Sequence, residues 1–118
     1  MTKRPDGALE HDILAVLWAA DRPLLPAEVK DGLAAPLAYT SVATVLGRLH
    51  FKGLVTRTEV GRAFAYTASF DEVQLAARRM DDVLARVTDR EAVLAGFVSG
   101  LSAKEAKSLR SILNTRRR

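Results

Sequence analysis

Three observations predict a mainly α-helical fold with one small β-hairpin. Apolar residues recur with helical period in three segments of the first fifty residues. Two β-prone segments around a glycine follow them, and three further helical segments complete the 118 residues. A chain of this length forms one domain, or one domain with a short helical segment appended to it.

The first half of the chain contains three predicted helices. Apolar residues at spacings of three and four predict a first helix over residues 8–20, which ends before Pro23. Pro26 fits the first turn of a second helix that ends near residue 35. The third helix is predicted over residues 41–52, with Thr40 as its N-cap and Gly53 as a left-handed C-terminal cap.

The period of the pattern changes after Gly53. Residues 54–59 and 63–67 are β-prone and flank Val60-Gly61-Arg62, which predicts a hairpin with Gly61 in its turn. Three short helices followed by a two-stranded ribbon is the order of a winged helix-turn-helix. We therefore predict such a domain over residues 1–68.

Residues 69–118 are predicted to form a helical dimerisation segment. Three capping-box patterns, Ser69/Glu72, Thr88/Glu91 and Ser102/Glu105, predict helices over about 70–86, 89–99 and 103–114.

The apolar stripes of these three helices predict contacts with a second copy, because so short a segment cannot bury them on itself. The alternative is that the helices fold back on the first domain of a monomer. The predicted dimer contacts are Val73, Met80, Leu84, Leu94, Phe97, Leu101, Leu109, Ile112 and Leu113.

Positive charge is concentrated in the middle of the chain. The formal net charge is +4, of which Arg116, Arg117 and Arg118 supply three. Residues 37–67 carry Arg48, Lys52, Arg57 and Arg62 against Glu59 alone, whereas residues 1–36 are net negative and residues 68–115 are neutral. This distribution is typical of a local footprint for a polyanion.

The residue inventory argues against an enzyme. His11 and His50 are predicted to be exposed polar residues, and the sequence contains no glycine-rich phosphate loop or nucleophile motif. The absence of cysteine excludes disulfides and thiolate metal sites and fits a reducing cytoplasm. We predict no cofactor, no metal and, because no apolar stretch is long enough, no membrane insertion.

The third helix is the predicted DNA-recognition element. Val42, Val45, Leu46 and Leu49 form its apolar face, which leaves small residues, hydroxyls and Arg48 facing outward. Hydroxyls and arginine bind phosphates and base edges, and small side chains allow close approach to a duplex. The predicted DNA contacts are Thr40, Ser41, Ala43, Thr44, Arg48, Lys52 and, at the hairpin turn, Arg62.

Several segments together resemble one known family. Residues 38–49, AYTSVATVLGRL, followed by Lys52-Gly53-Leu54-Val55, resemble the recognition helix of the penicillinase-repressor family of the BlaI/MecI type. Residues 61–66 are similar to that family's wing, and residues 9–14 with Trp18 to its first helix. Residues 102–114 are similar to its last helix, so the resemblance spans nearly the whole chain.

This resemblance implies a homodimeric repressor of β-lactamase or other resistance genes, bound to a pseudo-palindromic DNA operator. In the family, a membrane sensor metalloprotease triggers cleavage of the dimerisation segment, either directly or through an intermediate protease. The family's scissile bond corresponds to Gly96-Phe97, with Gly96 where asparagine is typical. A copper-responsive branch uses a cysteine-rich site, which this chain lacks.

One alternative function has the same fold. A winged helix can serve as a protein–protein interaction module without binding DNA. The salt dependence of DNA binding distinguishes the two functions, because phosphate contacts release counterions.

Overall fold

A computed structural model describes residues 6–116 and confirms the mainly helical fold with one hairpin. The elements in chain order are α1 (Asp6–Ala19), α2 (Pro26–Gly32), α3 (Tyr39–Phe51), β1 (Val55–Val60), β2 (Ala63–Ala68), α4 (Glu72–Arg86), α5 (Arg90–Ser99) and α6 (Ala103–Arg116). None of the helices in this range is long and apolar enough to cross a membrane.

The chain divides into two compact units within α4. The first unit ends at Ala76 and the second begins at Ala77. The boundary lies within α4 because the Leu75 side chain is buried in the core of the first unit. The start of α4 therefore belongs to that unit. The functional division after residue 68 stays a prediction.

The core of the first unit lies between α1, α2, α3 and the hairpin. Its largest fully buried side chains are Ile13, Leu14, Val29, Val42, Leu46 and Leu49. Val55 from β1 and Tyr66 from β2 join the same cluster. The predicted apolar face of α3 is confirmed, because all four of its residues are buried.

The two strands pair antiparallel, with Val55 opposite Ala68 and Val60 opposite Ala63. Gly61 has a φ of 63°, a conformation that glycine adopts without strain and that closes the turn as predicted. On the other edge of β2, the Leu24 N–H donates to the Tyr66 carbonyl at 2.9 Å, and the Tyr66 N–H donates to the Leu24 carbonyl at 2.7 Å. These bonds attach the hairpin to the linker between α1 and α2.

Several helix ends differ from the prediction by one to three residues, and for two of them the structure shows the reason. The second helix ends at Gly32 rather than near residue 35, because Leu33 is extended. A Cβ on Gly32 would lie 2.8 Å from Val16 Cγ1, so glycine lets α2 approach α1 without a shift of the Val16 side chain. The predicted Thr40 cap is also wrong. The helix begins two residues earlier, with Ala38 as the N-cap and its carbonyl accepting from the Val42 N–H at 3.1 Å. Gly53 has the predicted left-handed conformation, with a φ of 78°.

The third predicted capping box is confirmed. The Ser102 N–H donates to Glu105 Oε1 at 3.0 Å, and the Glu105 N–H donates to Ser102 Oγ at 3.1 Å. The backbone hydrogen bond from Ser102 holds the pKa of the Glu105 carboxyl below its ordinary value. The exchange of bonds stabilises the start of α6.

The other two predicted capping boxes are wrong by one or two residues. The start of α4 is capped by Asp71, which accepts from the Gln74 N–H at 2.7 Å while Gln74 Oε1 accepts from the Asp71 N–H at 2.9 Å. The start of α5 is capped by Asp89 rather than by Thr88. In each case a carboxylate closer to the helix replaces the predicted hydroxyl, because the positive end of the helix dipole favours negative charge.

An ion pair joins a buried carboxylate of α1 to the half-exposed Lys52 at the C-terminal end of α3. Glu10 is only 4% exposed, and the Lys52 ammonium donates to its two carboxylate oxygens at 2.8 and 3.1 Å. A carboxylate that is removed from water needs such partners, because an unpaired buried charge is strongly unfavourable. The pair therefore fixes the end of α3 against α1.

We predict that Lys52→Ala lowers the free energy of unfolding by about 1–3 kcal/mol, because the Glu10 carboxylate loses its charged donor. Arg22→Ala is the matched control, since Arg22 pairs with Glu28 at the surface at 2.7 Å and water can replace it there. Urea denaturation measures both. Equal losses for the two variants would contradict the structural importance of the pair between Glu10 and Lys52.

Candidate nucleic-acid interface

The outward face of α3 carries most of the predicted DNA contacts. Thr40, Thr44 and Arg48 are exposed, whereas Ser41 and Ala43 are partly buried at the edges of the face. The opposite face is buried in the core, so the rotation of the helix about its own axis is fixed. The structure therefore holds five of the seven predicted residues on one helix face.

Four of these residues line a shallow cleft. The cleft has a volume of about 290 Å³ and is bordered by Leu9, Thr40, Ser41, Thr44, Val45 and Arg48. Leu9 belongs to α1 and is partly buried against the core, and its sequence position alone does not distinguish it from the other apolar residues of that helix. Its place beside α3 depends on how the two helices pack.

The Thr44 hydroxyl has a hydrogen-bond partner within the helix. Thr44 Oγ1 donates to the Thr40 carbonyl at 2.8 Å. A hydroxyl has one donor and two acceptor positions, so Thr44 keeps its capacity to accept. The exocyclic amino groups of cytosine and adenine are the donors that the major groove offers to such an acceptor.

Lys52 follows Arg48 by about one turn and is engaged in an ion pair. Its ammonium is bound to the buried Glu10 carboxylate and holds α3 against α1. The Glu10 carboxylate is distant in sequence, so local sequence did not reveal this ion pair. The DNA contact of Lys52 stays a prediction, since its side chain is half-exposed.

The hairpin places one cation at its turn and another along β1. Arg62 is exposed and follows Gly61 in the turn, as predicted. The Arg57 guanidinium lies 4.0 Å from the centre of the Phe64 ring, in a cation–π contact. This contact was not predicted from the sequence, although the strand register sets the two residues diagonally across the hairpin.

The C-terminal helices expose most of the predicted dimer contacts. No residue of α5 or α6 is buried. The exposed members of the predicted set are Val73, Met80, Leu94, Phe97, Ile112 and Leu113, and the partly buried ones are Leu84, Leu101 and Leu109. Val83, Val93 and Val98 are also exposed and extend this apolar surface. Exposed apolar area of this extent is typical of an interaction surface.

The predicted cleavage site lies within a helix. Gly96 and Phe97 belong to α5, and the Phe97 side chain is 51% exposed. In residues 6–116, no group of three or more His, Cys, Asp or Glu side chains is arranged to hold a metal ion.

Comparison with known proteins identifies the family. The penicillinase repressor family matches the chain over residues 7–115. The chain belongs to this family. The transcriptional regulator BlaI from two strains of Mycobacterium tuberculosis, CDC 1551 / Oshkosh and ATCC 25618 / H37Rv, is 38% identical over 112 residues, which cover 91% of this chain and 81% of BlaI.

Solved structures show the same winged-helix fold at lower identity. The hsRosR-S4 complex superposes with a TM-score of 0.51 and 22% identity, over 86% of this chain and 90% of that one. BpsR of Bordetella bronchiseptica, whose DNA binding is regulated by 6-hydroxynicotinic acid, superposes with a TM-score of 0.51 and 17% identity, over 92% and 73% of the two chains.

As a member of the penicillinase repressor family, this protein is a DNA-binding transcriptional regulator. Its relatives are regulators and not enzymes, which confirms the prediction that the chain has no catalytic function. The winged helix-turn-helix that the sequence predicts is likewise confirmed by the fold.

Proposed function

We propose that this protein is a homodimeric repressor that binds a pseudo-palindromic operator through α3 of each copy. The observation that carries the proposal is the outward face of α3, where Thr40, Thr44 and Arg48 are exposed above a fully buried apolar face. No Asp or Glu occurs anywhere in this helix. The helix is therefore suited to the negative surface of a duplex groove.

Charge favours DNA over a protein partner for this face. The segment from α3 to the hairpin is net positive, whereas residues 6–36 are net negative and residues 68–115 are neutral. A polyanion favours a helix that contains no carboxylate and an arginine at the nearby wing turn, whereas a protein partner requires neither feature. Arg62 is proposed to bind a backbone phosphate next to the groove that α3 enters.

The apolar surface of α4–α6 supports a homodimer. One winged helix contacts a short half-site, so selectivity requires two such domains held at a fixed spacing. A second copy of the same apolar surface is a complementary partner, as in other symmetric dimers. The family name and the BlaI relative support β-lactamase or related resistance genes as the target.

We further propose that proteolysis relieves repression, with a membrane sensor metalloprotease or an intermediate protease as the partner. A cut between Gly96 and Phe97 would separate α6 and the end of α5 from the DNA-binding unit. Because this bond lies in a helix, cleavage requires local opening of α5.

We predict that Thr44→Glu abolishes operator binding while helix content and dimerisation are unchanged, because it places a negative charge on the DNA-facing surface. Thr115→Glu is the matched control, since Thr115 in α6 is also exposed and donates to the carbonyl four residues earlier, that of Ser111, at 3.0 Å. Gel-shift titration and circular dichroism measure the two properties. Operator binding by Thr44→Glu at the parent affinity would exclude α3 from the groove.

We predict that Arg62→Ala weakens binding to every duplex and lowers the slope of log affinity against log salt by about one, the value for one phosphate contact. Fluorescence anisotropy measures this slope between about 50 and 200 mM salt, because phosphate contacts weaken strongly over that range. An unchanged slope would remove the wing from the phosphate footprint.

We predict that a chain truncated after Gly96 is monomeric at micromolar concentration and binds the operator far more weakly, because it lacks Phe97, Leu101 and the apolar stripe of α6. Phe97→Asp in the full chain tests the same surface without truncation. Sedimentation velocity and gel-shift titration report the two effects. If both proteins stay dimeric and bind normally, the residues up to Gly96 suffice for the dimer and cleavage at Phe97 is not the switch.

A further inference from the structure

Phe51, the last residue of α3, has an unusual environment. Its side chain is 91% exposed, the highest value among the large apolar residues of the described chain. A single exposed apolar residue is common and carries no meaning by itself. The exposure of Phe51 becomes informative because this residue lies on α3, the helix proposed to contact DNA.

Phe51 lies on the same stripe of α3 as the proposed DNA contacts. Thr40, Thr44, Gly47 and Phe51 follow one another at spacings of four, three and four residues, which align on one side of a helix. The buried face, with Val42 and Leu49, lies on the opposite side. Phe51 therefore points in the same direction as Thr44, about two turns or 10 Å further along the helix.

Gly47 lies between Thr44 and Phe51 on this stripe. A glycine in a helix interior costs about 1 kcal/mol relative to alanine. Nothing lies within 4 Å of a Cβ built on Gly47, and its φ is not positive, so the free protein has no steric need for glycine there. A bare backbone at this point allows another molecule to approach the helix closely.

The charge of α3 indicates which molecule this is. Arg48 is adjacent to Gly47 and exposed, and the helix contains no carboxylate. The neighbouring Lys52 ammonium is bound to Glu10 on α1, where it compensates a buried charge. A polyanion with an apolar group at its surface fits such a face. In the major groove, the C5-methyl of thymine is the apolar group that a phenylalanine contacts.

We propose that Phe51 is a specificity-determining residue whose ring packs against a thymine methyl in the major groove of each half-site. The contact would lie about three base steps from the base next to Thr44, given the rise of the helix and of B-DNA. This inference rests on the proposed function, and extends the recognition surface to the C-terminal end of α3.

The test compares the full-length wild-type protein with Phe51→Ala in two steps. Each protein first selects binding sites from a randomised duplex library. Anisotropy titrations then use the wild-type consensus duplex, the same duplex with deoxyuridine replacing one symmetric pair of thymines at a time, and a random duplex. His50→Ala is the matched control, because His50 is exposed beside Phe51 but lies about 100° round the helix from it.

We expect the wild-type protein to lose about tenfold in affinity at one deoxyuridine position per half-site. Phe51→Ala should bind the thymine duplex about tenfold more weakly than the wild-type protein does. It should bind that deoxyuridine duplex as tightly as it binds the thymine duplex, and it should lose the preference for thymine in selection. His50→Ala should behave as wild type at this position.

Three results would overturn the inference. The first is an unchanged consensus and affinity for Phe51→Ala, and the second is an equal loss on the random duplex, which would indicate a backbone contact. The third is a loss of the dimer in sedimentation, which would assign Phe51 to a protein interface. If the wild-type protein itself enriches no sequence, the proposed function fails as well, so the two failures are distinguishable.

Discussion

The burial of one face of α3 is the constraint on which the rest of the DNA-binding unit depends. Val42, Val45, Leu46 and Leu49 are at most 4% exposed, and they pack against side chains of α1 and α2 and against Val55 and Tyr66 of the hairpin. Because a helix is rigid, burying one stripe also determines which residues lie on the opposite stripe. The apolar contacts of the buried face therefore determine that the exposed hydroxyls and Arg48 all lie on the outward side of α3.

The same core positions the wing. Tyr66 is buried in the cluster and exchanges two backbone hydrogen bonds with Leu24, so β2 is held on both edges. The turn at Gly61 extends beyond this anchored part of the hairpin, and carries Arg62 with it. An anchored ribbon holds its end at a defined distance from α3, which the proposed phosphate contact of Arg62 requires, because backbone contacts set the register of a protein on DNA.

The two units differ in how far they bury their apolar residues. The first unit buries a continuous cluster, whereas α5 and α6 bury none of their side chains. In the proposed homodimer, stability and DNA affinity would be coupled, because the apolar surface that the second copy covers would also set the spacing of the two α3 helices. In that dimer, a cut or a substitution in α5 would weaken DNA binding without a change in α3.

Local sequence determined the helical and strand pattern, the buried face of α3, the left-handed cap at Gly53, the glycine of the hairpin turn and the capping box at Ser102. Each of these depends on residues a few positions apart. Only the tertiary structure decided the roles of Lys52, Leu9, Leu75 and Gly32, because these depend on the side chain or backbone that another element brings beside them. Lys52 shows the difference most clearly. Its charge is visible in the sequence, but the buried Glu10 carboxylate that binds it is 42 residues away and reaches it only when α1 packs on α3.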